Sequence, residues 1–565
     1  MGIAVAAVGT GYVAVVDENA GKRANAVARI ARLVGTAGTM TCSYSVHIAK
    51  NHLLKKQRLS SGDAKAYEQA AERLKVLQED QEKDTIVQLT TKDPALRDAM
   101  TQKIARTREE IDVTSEKIAG LSSVSGYGPV HRVNAVRLRD MCAENKGVYI
   151  KLGQHLAMLD YVLPEEYSET LSSLLANTPT TPWNRVEKVL TQDLGEDWRR
   201  HFESIEEEPI ASASLAQVHV ARRKGSGTKV AIKVQHEGLL EESTMDMKAI
   251  TVIVDQLSNM FEGFTYRWLT KEMNENLPRE LDFEHEKNNL LKAKQQLKDL
   301  IDTDDLVIPQ VHPECSTKRV LTMDFEEGVY VTETEKIRNQ WQLRTADISS
   351  LVSKVFCEQM YRHGFVHCDP HEGNILVRPH PSKKGKPTIV LLDHGLYRDL
   401  GPEFRLNYCR LWRGLVMGAE GEIRDTCKAM NVGPAYTLLA AMLTMRPWDD
   451  IVNEDREKLK GKNTKGESEM LKAYAQKYFK EIVTLLGRVD SKMLLLMKTN
   501  DCLRHLDRRL GAPINTTKIA AGVIADVLHE EEKKESSLSA SSHYWLMQVR
   551  IAVLNVIQKW LSLTQ

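Results

Sequence analysis

Hydrophobic and polar positions along this chain change period several times, and each change predicts a different element. Met1 to Val16 is uncharged, but its 16 residues fall short of the ~20 that a membrane-spanning helix needs. Gly9 and Gly11 weaken any helix there. From Asn19 to Gly62 no acidic residue occurs, and Arg29, Arg32, Lys55 and Lys56 sit among Ala, Val, Ser and Thr. That pattern fits a targeting or membrane-proximal segment (1–62) and a surface helix with an apolar underside about equally. Ala70, Leu74 and Leu77, then Met100, Ile104, Ile111 and Ile118, mark two apolar stripes, so 63–122 predicts a helical hairpin inserted ahead of the main fold. A helical extension, 123–208, follows, with Asn134 to Leu175 helical throughout.

After Pro209 the period drops to two. Leu215, Val218 and Val220 read as one strand, Lys224-Gly225-Ser226-Gly227 as a turn, and Val230-Ala231-Ile232-Lys233-Val234 as a second strand. Glu280 to Glu286 reads as a carboxylate-rich helix, and Arg319 to Phe325 as an apolar strand. Beyond 330, Gly364-Phe365-Val366 and Ile389 to Leu392 are short buried strands separated by a hairpin, and the remainder is mainly helical. Met493 to Met497 suits a buried helix. Trp545 to Leu563 is apolar nearly all round, which suits a last core helix better than a membrane-surface helix with tryptophans at its ends. The fold class predicted is α+β: strands concentrated over 209–330, a mainly helical region over 331–565, and helical additions in front.

Composition narrows the functional classes. The 565 residues are 42% hydrophobic and 27% charged, with Lys+Arg and Asp+Glu both at 77. No global field draws the chain to nucleic acid. The 8 cysteines form no Cys-x-x-Cys pair, so neither a zinc site nor a disulfide framework is indicated.

The candidate chemistry lies in His367-Cys368-Asp369-Pro370-His371-Glu372-Gly373-Asn374 and in Asp393-His394-Gly395. In kinase-type phosphoryl transfer the catalytic loop reads His-x-Asp-x-x-x-x-Asn and the metal strand ends in Asp-x-Gly. Asp369 then takes the place of the base or orienting group, and Asn374 and Asp393 those of Mg²⁺ ligands. Mg²⁺ takes few protein ligands and shares the rest between phosphate and water. Val-Ala-Ile-Lys places Lys233 on a strand, from which its ammonium reaches ATP phosphates. Ala211-Ser212-Ala213-Ser214 stands where a glycine-rich phosphate loop would be. One carboxylate of the Glu280–Glu286 segment holds Lys233 in line, and at least one more is left for another partner. Met323 and Phe325 fall on the strand whose backbone meets adenine.

The ordered set KLGQ, PIASASLAQVH, VAIKVQH, ELDFEHE, LTMDFEEG, HGFVHCDPHEGNILV and LLDHG resembles the UbiB/AarF-domain family of atypical kinases from about Asn134 to Arg504. The resemblance implies a bilobal protein-kinase-like fold, with a strand-rich lobe over 209–330, a helical lobe over 331–565 and helical additions. It implies that Lys233 pairs with Glu286, and that Lys151 and Gln154 belong to a Lys-x-Gly-Gln motif packing across the site. Glu280 and Asp282 form that motif's Glu-x-Asp partner. It also implies ATP and Mg²⁺ as cofactors, a mitochondrial location at the inner membrane, and a small-molecule or lipid substrate connected with coenzyme Q or membrane lipid. Membrane-surface contact and mitochondrial protein partners are expected, and nucleic acid is not. Two activities stay open: an ATPase or small-molecule phosphotransferase, or a catalytically weak nucleotide-binding scaffold. A Ser/Thr protein kinase is third. Glu372 departs from the family, which has proline there, and adds negative charge beside the metal ligands.

Overall fold

The computed structural model describes residues 18–59, 128–157, 163–176, 180–260, 266–446, 448–452, 489–511, 514–535 and 544–549, with isolated positions between 69 and 114 and at Leu485. The uncharged stretch 1–17, most of the 63–122 hairpin and most of the Trp545–Leu563 segment lie outside the described residues. Among the described residues no helix is long and apolar enough to cross a membrane.

The helices ahead of the first sheet include α1 (Glu18–Leu59), α2 (Gly128–Asn145), α3 (Gly147–Ala157) and α4 (Trp183–Leu194). The continuous helix expected over Asn134–Leu175 is broken. Lys146 and Gly147 both take positive φ, 60° and 49°, a conformation that ends one helix and redirects the chain into the next. The basic stretch within 1–62 folds as α1 and packs against α2 and α5 (Leu239–Met260). Its docking point is Arg29, whose guanidinium pairs with Glu242 and with Asp246 of α5. Arg29 and Asp246 are both buried, and burial pushes the Asp246 carboxyl up to about 6 despite the arginine. Breaking a buried pair leaves an uncompensated charge and typically costs 3–5 kcal/mol. Arg29→Met is therefore expected to lower unfolding free energy by about 3 kcal/mol, read by urea titration. A midpoint equal to wild type would show that α1 does not depend on this contact.

The strand-rich lobe is a five-stranded antiparallel sheet in the order β1-β3-β4-β6, with β2 also paired to β3, at residues that β1 does not reach. The strands are β1 (Phe202–Ile205), β2 (Ala211–Ser212), β3 (Ala216–Arg223), β4 (Lys229–Gln235) and β6 (Val320–Asp324). The turn expected between β3 and β4 is present, with positive φ at Gly225 and Gly227. In β4, Val230, Ile232 and Val234 point into a cluster formed with α4 residues Val186, Val189 and Leu190. Period-two alternation then turns Lys233 to the opposite face, toward the cleft.

Helix α7 (Phe283–Gln296) meets that face through Glu286 and packs against the preceding α6 (Arg267–Glu280). The single carboxylate-rich helix expected over Glu280–Glu286 is two helices. Asp282 sits between them in extended conformation, and its side chain accepts the Glu284 N–H as the N-cap of α7. Three carboxylates close in sequence thereby receive three different tasks.

The second lobe holds a four-stranded sheet, β5 (Leu306–Val307), β10 (Pro387–Leu391), β9 (Ile375–Pro379) and β7 (Val329–Tyr330), and two of its strands, β5 and β7, come from ahead of residue 331. A two-stranded ribbon of β8 (Phe365–His367) and β11 (Tyr397–Asp399) lies alongside. The helices of this lobe include α8 (Thr345–Cys357), α9 (Pro402–Met417), α10 (Ser491–Arg509) and α11 (Thr516–Glu535). All five residues of β10 are buried, as its apolar run predicts. In the last described segment Met547 is buried, while Trp545 is 71% exposed.

Candidate active site

The site forms where β4, α7 and the end of β10 converge. The Lys233 ammonium donates to both Glu286 oxygens at 2.9 Å and to Asp393 Oδ2 at 2.8 Å. Glu286 lies inside the first turn of α7, so the Asp282 cap fixes its direction. Burial raises the Glu286 carboxyl to about 7, although Lys233 opposes this. Burial also works against the charged form of Asp393, but there the attraction of Lys233 prevails and the carboxyl stays well below its ordinary range. One cation thus holds two carboxylates.

Asp393 is further oriented by the Gly395 N–H, which donates to its Oδ1 at 2.8 Å. A Cβ at Gly395 would stand 3.2 Å from that same oxygen and 3.7 Å from Glu286 Oε2. The glycine therefore keeps the backbone close to the carboxylates.

The antiparallel pairing of β9 and β10 sets Ile375 opposite Leu391, and Leu392 N–H donates to the Asn374 carbonyl at 3.0 Å. This register brings Asn374 alongside Asp393. Asn374 spends its side-chain N–H on the Asp369 carbonyl at 3.1 Å, which leaves its amide oxygen as the atom able to ligate a cation. One carboxylate and one amide oxygen fit Mg²⁺ that takes its remaining ligands from phosphate and water. Bound there, the ion would supply charge neutralisation to a triphosphate.

His367 joins the two halves of the motif. Its Nδ1 accepts the Asp369 N–H at 3.0 Å, so Nε2 carries the proton and donates to the Asp393 carbonyl at 2.7 Å. A buried neutral imidazole thereby fixes the loop against the metal strand, and burial lowers its pKa.

The Lys-x-Gly-Gln segment lies on α3. Lys151 pairs with Glu280 at 2.7 Å, and the Gln154 amide donates to the Leu174 carbonyl at 2.9 Å. A Cβ on Gly153 would come within 2.3 Å of Leu174 Cδ1 and 3.4 Å of Cys142 Sγ, so glycine is what allows this close packing. Of the three carboxylates, Glu286 meets Lys233, Glu280 meets Lys151 and Asp282 caps α7.

The alanine-rich loop is held from both sides. β2 pairs with β3, placing Ala211 opposite Val218 and Ser212 opposite Gln217. Ala213 N–H donates to the Ala216 carbonyl at 2.7 Å. The Ala213 carbonyl faces His236 Nε2 at 3.0 Å, and Ser214 is buried. On the strand expected to meet adenine, Met323 pairs with Ala231, and the Phe325 N–H is already bonded to the Lys229 carbonyl at 3.1 Å. The Phe325 N–H is therefore not available to a base. The Lys229 ammonium lies 3.9 Å over the Phe325 ring.

Sequence reasoning passed over one charged group in the site. Lys498 of α10 lies 3.1 Å from Asp369 Oδ1. Burial disfavours a charged Asp369, but Lys498 with His371 and Lys151 outweighs it, and the carboxyl is held far below its ordinary range. Arg509 of the same helix stands 3.5 Å from Glu372, so α10 counters both carboxylates of the loop. The only signal in the sequence was a lysine directly after the apolar run Met493–Met497.

A lysine–glutamate pair on a strand and a facing helix, with an Asp–Asn loop and an Asp-x-Gly strand end, defines a protein of the kinase-like class. The model of the ABC1 atypical kinase-like domain matches residues 173–426. An ABC1 protein of Arabidopsis thaliana is 38% identical, covering 76% of this chain and 84% of its own length. AarF domain-containing protein kinase 1 of Xenopus laevis is 38% identical over 77% of this chain and 84% of its own length. Its namesake in Mus musculus is 40% identical over 68% and 71%. The chain belongs to the ABC1/AarF-domain family of atypical kinase-like proteins. Lys151 and Lys498 both lie outside the matched domain.

Proposed function

We propose that this protein binds Mg²⁺-ATP between its two lobes and acts as an ATPase or as a phosphotransferase toward a small molecule or lipid. The observation that carries this reading is the Lys233–Glu286–Asp393 triad, built at 2.8–2.9 Å and tied through His367 to the Asp369 loop. Lys233 and the Ala211–Ser214 loop hold the phosphates, and Asn374 and Asp393 hold the metal. Met323 and Phe325 line the base, and Asp369 orients a hydroxyl or a water. Lys151 and Gln154 from α3, with Glu280 and Asp282, close the side of the cleft where a polypeptide substrate would lie. That closure supports a small acceptor over a protein Ser/Thr residue. The family supports service to mitochondrial lipid, coenzyme Q or membrane homeostasis, at the inner membrane and beside protein partners there.

A second reading, a nucleotide-binding scaffold with little turnover, is favoured by one observation: Asp369 is already engaged by Lys498. The test is thermal denaturation of the full chain with ATP, with and without Mg²⁺, together with phosphate release. A Mg²⁺-dependent upward shift with phosphate release supports the enzyme. A shift without release supports the scaffold. No shift at millimolar nucleotide overturns both.

A further inference from the structure

The cation balance of the site leaves the terminal phosphate poorly served. Lys233 is committed to two carboxylates, Glu286 and Asp393. Lys151 is committed to Glu280. The loop between Asp369 and Asn374 reads Pro-His-Glu-Gly and contributes neither lysine nor arginine. His371 spends Nδ1 on the Gly373 N–H. Phosphoryl transfer places negative charge on the equatorial oxygens of the moving group, and such sites stabilise it with fixed cations besides the metal.

Lys498 supplies the missing charge from a separate part of the chain. Its side chain is 15% exposed. It is carried by α10, which buries Met493, Leu495, Leu496 and Met497 in the large lobe. Arg509, three turns further on, reaches Glu372, so the helix meets the Asp369 loop at two points. The contact at 3.1 Å is an ion pair between two largely buried groups. A carboxylate neutralised in this way is a weak proton acceptor until the ammonium has another anion to meet.

We propose that Lys498 is a second phosphate-binding cation of this site, resting on Asp369 until a nucleoside triphosphate enters and then moving onto its terminal phosphoryl oxygens. The proposal rests on the nucleotide-binding reading above. Release from Lys498 frees Asp369 to take the proton of an acceptor hydroxyl as the acceptor oxygen bonds to the γ-phosphorus. The bond from that phosphorus to the β–γ bridging oxygen breaks, and the nucleoside diphosphate leaves with the electron pair. The same exchange explains why Asp369 carries a cation at all: the charge is stored beside the position where it is used.

The experiment is calorimetric titration of the full chain with Mg²⁺-ATP and, separately, Mg²⁺-ADP, on wild type, Lys498→Met and Lys498→Arg. Lys498→Met is expected to weaken ATP by about tenfold or more while leaving ADP within about twofold, because only ATP carries the contacted group. Lys498→Arg keeps most of the wild-type preference. ATP and ADP weakening in parallel, or neither changing, overturns the proposal. Should Lys498→Met fail to fold, Asp369→Asn provides the second arm. It releases the lysine, and the ATP-over-ADP preference rises several-fold. An unchanged preference in that variant overturns the proposal equally. Wild type that binds neither nucleotide defeats the nucleotide reading itself and this proposal with it.

Discussion

Asp393→Asn is expected to abolish the Mg²⁺-dependent part of ATP binding while leaving the unliganded protein folded. Asp393 is the one carboxylate in the proposed pair of metal ligands, and its exchange for an amide removes the negative charge that would draw a divalent ion to the site. Metal charge stabilisation at a phosphate is worth several kcal/mol, so the loss corresponds to about 10²-fold or more in affinity. The unliganded fold is spared because Lys233 keeps its two bonds to Glu286. Asp393 also raises the Glu286 carboxyl by repulsion, so its removal strengthens the remaining pair. Thermal denaturation of wild type and variant with ATP, each with Mg²⁺ or with chelator, separates these effects. The wild-type curve moves with Mg²⁺, and the variant curve does not. A variant that still responds to Mg²⁺ would show that Asp393 is not a metal ligand.

The kinase-like fold and the order of the motifs were legible in the sequence because each motif is short and sits on one regular element. Val-Ala-Ile-Lys reads as a strand from its β-branched residues, and period two then fixes the side from which Lys233 projects. The buried run before Asp393 reads as a strand for the same reason. Legibility ended where a residue's role depends on a distant partner. Glu280, Asp282 and Glu286 lie within seven residues, and no local rule divides them. A cap at Asp282 divides them, and that cap is visible only once Leu281 ends α6. Arg29 looked like one charge in a basic stretch. Its partners Glu242 and Asp246 lie 213 and 217 residues away. Lys498 is separated from Asp369 by more than a hundred residues and carries no motif. Periodicity finds the face of a helix, not the distant residue that the face will meet.

Lys233→Met is expected to cost both nucleotide binding and stability, and the stability loss carries a pH signature. With the ammonium gone, Glu286 and Asp393 face one another without a cation, and Glu286 is almost wholly buried. Two such carboxylates cannot both stay ionised, so one takes a proton. Glu286 is the one, since burial already lifts it to about 7 in the presence of Lys233. A carboxyl whose folded pKa exceeds its unfolded value favours folding at low pH, and that advantage disappears as pH rises toward the folded pKa. The variant should therefore lie nearest to wild type at about pH 5 and fall furthest behind at about pH 8.5, by about 3–5 kcal/mol, the usual consequence of stranding a buried charge. Adding Glu286→Gln to Lys233→Met removes the titrating group, so the double variant should regain stability at high pH and lose the pH dependence. It should not regain nucleotide binding, because the ammonium proposed to hold the phosphates is still absent. Urea unfolding at three pH values reads the first effect, and calorimetric titration with Mg²⁺-ATP reads the second. A single variant whose deficit is the same at every pH would mean that Glu286 and Asp393 are not coupled through Lys233. A double variant that binds nucleotide as wild type does would mean that Lys233 serves the fold alone.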